Sequence, residues 1–290
     1  GLLHNLALDI EFAINESKDV IIFQVRPIAA NQKFENIPDS KIFKVIQDIK
    51  DEYISLGKNS IIKPYYSLSD MAFWNPAEII GDRSSVLAYS IYRYLILNRS
   101  WNTGLLPLGY KKINRDLIVR LGNKPYIELE TSFASLLPNE LSSDISKKLI
   151  LFYRKKLLNN PELHDKIEFE IVHNCFSPRT DNQLEELKSV LSNQEYKNFR
   201  KSLIKLTQGI FDNYDRIKSK DLKSLNRLAE KRTKKIKSID KKTISEKIDI
   251  VVQLFNDVRE LGTPQFSRMA RLAFIGNQFF KDLVAKGILN

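Results

Sequence analysis

The chain has 290 residues, of which 43% are hydrophobic, and it carries a formal net charge of +11. This length and apolar content indicate a globular protein with a sizeable core, in one large domain or two smaller ones. The single cysteine, Cys175, excludes an internal disulfide and a cysteine-based metal site. Because no apolar run approaches the roughly 18 residues that span a bilayer and no leader pattern is present, we expect a cytoplasmic protein without membrane contact.

Much of the positive charge lies in a basic stretch between Lys218 and Lys247. Lysine dominates this stretch, and no aromatic residue, helix-turn-helix, zinc-finger or RNP-like pattern accompanies it. Base stacking and groove readout therefore lack their usual residues, and we expect any nucleic-acid binding to be weak and sensitive to salt. A solvated helix face of this charge also suits an acidic protein partner. A helical scaffold or adaptor with a basic face is therefore one possible function.

The N-terminal residues have the pattern of a β-hairpin. Two runs with alternating polarity, 6–14 and 20–25, flank the polar residues Glu16–Asp19, and Pro27 ends the second run. The alternation leaves one face of the hairpin polar.

A four-residue loop at Glu16–Asp19 would place Glu11 opposite Gln24 and Asp9 opposite Arg26. An acid, an amide and a guanidinium on one face can coordinate a hard cation and hold a phosphate group. The same residues can also form an ordinary solvated face with a cross-strand Asp9–Arg26 ion pair. Spacing alone leaves both interpretations open.

After a polar connector that favours a domain boundary near residue 30, helical periodicity dominates the chain. The predicted helices are 41–56, 76–81, 84–98, 139–158, 184–190, 193–217, 219–237, 242–261 and 264–286. The predicted strands are 117–121, 126–130 and 167–172, with a loop at 132–138. The sequence therefore predicts a mostly α fold with small β elements (α+β), in which an N-terminal β-hairpin (residues 1–30) is followed by a multi-helix domain (residues 31–290).

The histidines of the chain do not match a known catalytic or metal-binding motif. His4, His164 and His173 share no metal-ligand spacing, and no nucleophile-elbow, Walker A or dinucleotide-binding pattern occurs. We expect His164 to be a surface or capping residue and His173 to be a buried core imidazole. The aromatic-rich region from Tyr65 to Trp101 is most simply read as core.

Two strings in the predicted hairpin, DIEFAI (9–14) and FQVRPI (23–28), resemble the closing strands of the ATP-grasp domain in the phosphoenolpyruvate synthase and pyruvate phosphate dikinase family. The resemblance implies that Glu11 contacts Mg²⁺ and the nucleotide. It also implies that Gln24 and Arg26 contact the phosphates of ATP, with Arg26 acting on the transferred phosphoryl group. The glycine-rich lid and adenine-binding lysine of that family belong to sequence upstream of this hairpin.

The resemblance continues along the chain. WNPAEIIG (74–81), SIYRYLI (90–96), Gly109-Tyr110 and Pro125-Tyr126 are similar to the central region of the same multidomain proteins. The C-terminal residues 268–289 resemble the helix that leads toward the phosphohistidine domain of these proteins. In related antibiotic-phosphorylating enzymes a helical middle domain holds the acceptor, which directs attention to Tyr89, Arg93 and Trp101. Residues 1–30 would then be the last hairpin of an ATP-grasp domain, and residues 31–290 a helical central domain.

The resemblance implies an ATP-dependent phosphotransferase of the dikinase type that uses ATP and Mg²⁺. Its partners would be an upstream ATP-grasp domain and a downstream phosphohistidine domain of the same polypeptide, together with a small-molecule phosphoryl acceptor. None of the three histidines has the sequence context of the family's phosphohistidine. We therefore expect residues 1–290 alone to be catalytically inactive.

Overall fold

The computed structural model describes residues 8–27, 37–58, 60–61, 67–70, 72–73, 76–97 and 99–289. The contacts within the chain divide it into two compact units, Gly1–Gln47 and Asp48–Asn290, and the second is the helical unit. The predicted boundary near residue 30 lies outside the described residues and stays a prediction. The prediction of a mostly helical chain with small β elements is confirmed. None of the described helices combines the length and apolar composition needed to cross a bilayer.

The strands are β1 (Leu8–Ile14), β2 (Val20–Pro27), β3 (Leu68–Ser69), β4 (Ile118–Leu121) and β5 (Lys124–Glu128). The α-helices are α1 (Asp39–Gly57), α2 (Pro76–Ile80), α3 (Val86–Tyr92), α4 (Ser100–Leu105), α5 (Leu129–Ser135), α6 (Ser143–Asn159), α7 (Thr180–Leu184), α8 (Asn193–Lys237), α9 (Ile244–Leu261) and α10 (Thr263–Ala285). Short 3₁₀ turns occur at Leu106–Leu108, Pro161–Leu163 and Glu185–Ser189, and π-helical turns at Arg93–Leu97 and Ile167–Ile171.

Sequence-encoded caps begin several of these helices. The Ser85 hydroxyl accepts a hydrogen bond from the Ala88 amide at the start of α3. Capping boxes at Ser192 and Thr243 begin α8 and α9. Each cap satisfies amide groups that the first helical turn leaves without a partner. These helices therefore begin close to where the sequence pattern places them.

The helical unit contains a three-stranded antiparallel sheet in the order β3-β5-β4. The predicted strands 117–121 and 126–130, four residues apart in the sequence, correspond to the hairpin of β4 and β5, but Leu121 pairs with Lys124, so the turn has two residues. Gly122 and Asn123 both have positive φ, at 55° and 67°. Two consecutive positive φ angles make the tight turn whose twist suits a hairpin.

The core of the helical unit lies between α5, α6 and the first half of α8. Phe133 and Tyr153 pack edge to face with ring centroids 6.0 Å apart, and neither is exposed to solvent. Leu149, Phe199 and Leu203 are equally buried in the same cluster. Buried apolar residues of α5, α6 and α8 thus belong to one core cluster.

Several predictions of secondary structure are wrong. The predicted strand 167–172 is a π-helical turn, Ile167–Ile171, followed by extended backbone. The predicted loop 132–138 is largely the buried helix α5, which begins directly after β5. The predicted helices 193–217 and 219–237 are one helix, α8, because no glycine or proline interrupts the chain at residue 218.

One guanidinium joins three helices in the helical unit. Arg268 of α10 donates from Nε and Nη2 to the two carboxylate oxygens of Asp221 on α8, at 2.8 and 2.7 Å. Its Nη1 donates to the Gly104 carbonyl oxygen on α4, at 2.8 Å. A Cβ atom on Gly104 would lie 2.3 Å from the carbonyl oxygen of Pro264, so only glycine allows α4 and α10 to come this close.

The carboxylate of Glu128 is buried at the start of α5. It accepts hydrogen bonds from the amides of Glu130 (3.1 Å) and Thr131 (2.7 Å) and so caps the helix. Burial raises the pKa of Glu128 to about 7, although the hydrogen bonds from Thr131 lower it. The side chain therefore gives up its proton at a higher pH in the folded chain than in the unfolded chain.

Glu128 should make the stability of the protein depend on pH. Below about pH 4.5 both states keep the proton, and between about pH 4.5 and 7 the unfolded state releases it first, so stability falls as the pH rises. The loss is at most about 3 kcal/mol and is complete above pH 7. Urea unfolding of the wild type and Glu128→Gln at pH 5 and pH 8 checks this. A difference between the two proteins that is the same at both pH values would contradict it.

Candidate functional site

The polar face of the β1–β2 hairpin brings together three of the charged residues that the sequence singled out. The Arg26 Nε lies 2.7 Å from the Asp9 carboxylate, and its Nη2 lies 3.7 Å from the Glu11 carboxylate. The strand register pairs Asp9 with Arg26 and Glu11 with Gln24, and this predicted register is confirmed. Arg26 therefore lies between two acids near the open end of the hairpin, far from its loop.

The predicted four-residue loop is wrong, because Ile14 pairs with Val20 and the loop contains five residues. Within the loop, Asn15 and Asp19 are joined by a backbone hydrogen bond of 3.0 Å and by side-chain contacts of Asn15. An extra residue in β2, Phe23, makes a β-bulge between the paired residues 12–22 and 11–24. The bulge compensates for the longer loop and restores the register at Glu11.

The three charged side chains are solvated. Arg26, Asp9 and Glu11 are 56%, 43% and 55% exposed. Ion pairs with this exposure contribute about 0–1 kcal/mol to stability each, because water screens them. Moving the guanidinium from Asp9 to an incoming phosphate group therefore costs little.

The hairpin offers two carboxylates to a cation, Asp9 and Glu11. Among the residues that the structure describes, no group of three or more His, Cys, Asp or Glu side chains is placed to hold a metal ion. Mg²⁺ in nucleotide sites is commonly held by one or two carboxylates, with water and substrate phosphates as its other ligands. The donor set of the hairpin fits that type of site and does not fit a cage made of protein ligands alone.

The other face of β1 is apolar and exposed. Ile10, Phe12 and Ile14 are 44%, 56% and 62% exposed, and Val25, the partner of Ile10, is 43% exposed. An isolated two-stranded hairpin is marginally stable in water, and further strands or a helix normally cover a face of this kind. This exposure is the feature expected of a hairpin that belongs to a larger sheet.

Of the two histidines that the structure describes, His173 is buried in the core and His164 is half-buried. His173 is 9% exposed, and its Nδ1 lies 3.3 Å from the Tyr153 hydroxyl. Burial lowers the pKa of His173 to about 3, so the imidazole is neutral, as expected for a core residue. His164 is half-buried after the turn Pro161–Leu163, and His4 lies outside the described residues. Burial raises the pKa of the buried Cys175 thiol to about 12, so it is a poor nucleophile.

Tyr89 and Arg93 lie close to each other, and Tyr89 and Trp101 pack against the same small apolar cluster. Arg93 is paired with Asp116, and the guanidinium of Arg120 lies over the Tyr89 ring, 5.8 Å from its centroid. Trp101 is half-buried on α4 and packs edge to face against Phe266, at 6.1 Å between ring centroids. It borders an apolar cavity that sequence reasoning missed.

The basic stretch occupies the second half of α8, the connection to α9 and the first turn of α9. Two of its lysines, Lys231 and Lys235, bind the carboxylate of Asp257 on α9 and lower the pKa of that group. Part of the positive charge therefore joins two helices of the same chain. Most of the remaining lysines project into solvent, as the sequence predicts.

Comparison with known proteins identifies no relative. No family model matches the chain, and neither a curated protein nor a solved structure matches it.

Proposed function

We propose that this chain is part of an ATP-dependent phosphotransferase of the phosphoenolpyruvate synthase and pyruvate phosphate dikinase type. In this proposal the hairpin supplies the last ATP- and Mg²⁺-binding strands, and the helical unit is a central domain that links domains or binds the acceptor. The observation that carries the proposal is the hairpin itself. Arg26 lies between Asp9 and Glu11 on one face, and the opposite face exposes apolar side chains.

Each polar residue has a distinct role in this proposal. Glu11 holds Mg²⁺ together with the nucleotide, and Gln24 donates to a phosphate oxygen. Arg26 offers its planar fork to the phosphoryl group as negative charge develops during transfer. Asp9, at 2.7 Å from Arg26, orients the guanidinium. When bound, Mg²⁺ would offset the charge of the phosphates.

The remaining parts of the reaction belong to other domains. An upstream ATP-grasp domain would pack against Ile10, Phe12 and Ile14 and enclose the nucleotide. A downstream phosphohistidine domain would carry the phosphoryl group to a small-molecule acceptor. On this proposal the 290 residues alone are inactive, because a solvated hairpin cannot enclose a nucleotide or exclude water from the reaction.

Glu11→Gln tests the proposed metal contact. In a polypeptide that includes the ATP-grasp lid, this substitution keeps the shape of the side chain and removes the charge that attracts Mg²⁺. We expect the affinity for ATP in the presence of Mg²⁺ to fall about 10- to 100-fold, measured by titration calorimetry. Glu16→Gln, in the hairpin loop, is the matched control. Equal affinities for both variants and the wild type would contradict the role of Glu11.

The second candidate is a helical scaffold whose basic face binds an acidic protein. The exposed lysines of the basic stretch favour it, while the pairing of Lys231 and Lys235 with Asp257 weakens it. The gene sequence on either side of the region that encodes this chain distinguishes the two functions. A continuous reading frame into a glycine-rich lid upstream and a histidine-bearing domain downstream would exclude the scaffold.

A further inference from the structure

A cavity of about 550 Å³ lies beside α10 in the helical unit. Its described walls come from α2, α4, α8, α9 and α10 and from both π-helical turns, and they are almost entirely apolar. Glu168 is the single charged residue among the described residues that line it. A cavity of this size with a mainly apolar wall and one charged residue has the form of a small-molecule site.

Aromatic rings form much of the cavity wall. Phe73, Trp101, Phe266 and Phe274 all line it. Phe266 is 64% exposed, so the rim is open to solvent, whereas Trp101 and Phe274 are half-buried. Aromatic walls favour flat aromatic ligands, because rings stack or pack edge to face at little cost in side-chain entropy.

The backbone around the cavity is irregular at three places. Phe73 has a φ of 55°, a left-handed conformation that is unfavourable for a bulky side chain. Ile96 lines the cavity from the π-helical turn Arg93–Leu97, and Glu168 lines it from the π-helical turn Ile167–Ile171. Strained residues and π-helical turns occur preferentially at binding sites. Three of them at one cavity are unexpected if its walls serve packing alone.

The carboxylate of Glu168 is partly satisfied. Its Oε1 accepts a hydrogen bond from the buried Arg271 of α10, and within the described part of the chain Oε2 accepts none. Burial raises the pKa of Glu168, although Arg271 lowers it. Because Arg271 neutralises the acid, the pair has no net charge to attract a cation. The Oε2 atom can instead accept a hydrogen bond from a neutral donor.

We propose that this cavity binds a neutral, flat aromatic molecule with one hydroxyl group. The rings contact Trp101 and Phe266, and the hydroxyl donates to the Glu168 carboxylate. The site lies entirely in the helical unit, so the proposal does not depend on the function assigned to the hairpin.

Naphthol and its methyl ether, methoxynaphthalene, test the ligand class, because they share the ring system and differ in the donor. We expect naphthol to bind the 290-residue chain with one-to-one stoichiometry in titration calorimetry, at least about tenfold more tightly than the ether. Binding of neither compound, or equal binding of both, would overturn the proposal.

Ala270→Phe tests the location. Ala270 lines the cavity on α10, and a ring at this position fills the space without changing the Glu168–Arg271 pair. Affinity for naphthol should fall at least about tenfold, whereas Ala229→Phe, at an exposed position of α8, should bind as the wild type does. If Ala270→Phe gives a native circular dichroism spectrum and wild-type affinity, the ligand binds elsewhere and the proposal is wrong.

Glu168→Gln tests the hydrogen bond. The amide keeps the shape of the side chain, and its carbonyl is a weaker acceptor than a carboxylate. We expect the preference for naphthol over the ether to shrink several-fold, with little change for the ether. If Glu168→Gln does not fold because Arg271 has lost its charged partner, Ala270→Phe still tests the proposal. An unchanged preference in a folded Glu168→Gln protein would overturn the role of Glu168.

Discussion

Arg268→Met should lower the free energy of unfolding by about 3 to 5 kcal/mol. The substitution leaves the carboxylate of Asp221, which is 2% exposed, without its bidentate partner. It also removes the donor to the Gly104 carbonyl oxygen. A buried charge without a partner is far more costly than the loss of an ion pair in water, since the protein interior solvates it poorly. Urea unfolding measures the change.

The double variant Asp221→Leu/Arg268→Met distinguishes two contributions to stability. One is the cost of leaving the buried Asp221 carboxylate without a partner, and the other is the stabilisation that the ion pair provides. Replacing both members by apolar residues should recover most of the loss, because no buried charge remains. Lys205→Met is the control, since Lys205 pairs with Glu140 at 68% and 55% exposure and should change stability by less than about 1 kcal/mol. If Arg268→Met costs no more than Lys205→Met, the junction of the three helices is not important for stability.

Arg26→Lys should slow phosphoryl transfer about 10²- to 10³-fold in a polypeptide that carries the ATP-grasp lid. The ammonium keeps the charge, but it cannot present two coplanar donors to the developing phosphoryl charge. The corresponding loss of transition-state stabilisation is on the order of 2 to 4 kcal/mol. Folding should hardly change, because the Arg26 side chain is 56% exposed.

Steady-state phosphoryl transfer and thermal melts of the same preparations decide this prediction. Arg227→Lys, an exposed change of the same type on α8, should keep wild-type turnover. Wild-type turnover of Arg26→Lys would show that the hairpin arginine has only a structural role. In that case the polar face of the hairpin is an ordinary solvated surface with an ion pair between Asp9 and Arg26.

The hairpin shows how far sequence patterns can be taken. Alternating polarity together with an assumed four-residue loop predicted the pairs Asp9–Arg26 and Glu11–Gln24, which the structure contains. Polarity did not reveal that the loop has five residues, because hydrogen bonds between Asn15 and Asp19 determine the length of the loop. The correct register at Glu11 therefore results from two errors that cancel, a shorter loop and a missed bulge at Phe23.

Tertiary contacts explain the elements that local patterns did not predict. The sequence of Ile167–Ile171 alternates like a strand, but Arg271 and the Asn174 side chain, which donates to the Glu168 carbonyl at 2.6 Å, hold it as a π-helical turn. Helix α5 was missed because its cap is Glu128, whereas serine, threonine, aspartate and asparagine are the usual cap signals. Its residues fit a strand followed by a loop equally well.

The cavity could not be found from the sequence, because its residues are far apart in the chain. Phe73, Glu168 and Phe266 have no common spacing, and only the packing of α4 against α10 brings Trp101 next to Phe266. A useful signal was nonetheless present. Glu168 lies between apolar neighbours, where an acid is costly unless another element provides a partner.

The length of helix α8 affects how the protein unfolds locally. With 45 residues it is about 68 Å long, and Asp221 is its last buried residue. Amide groups near Phe199 and Leu203 can exchange their hydrogens with water only when the core separates. Those near Lys237 lie beyond the last buried residue of the helix, so local fraying is sufficient. Protection from hydrogen exchange therefore declines along one unbroken helix, without a hinge to mark where the cooperative unit ends.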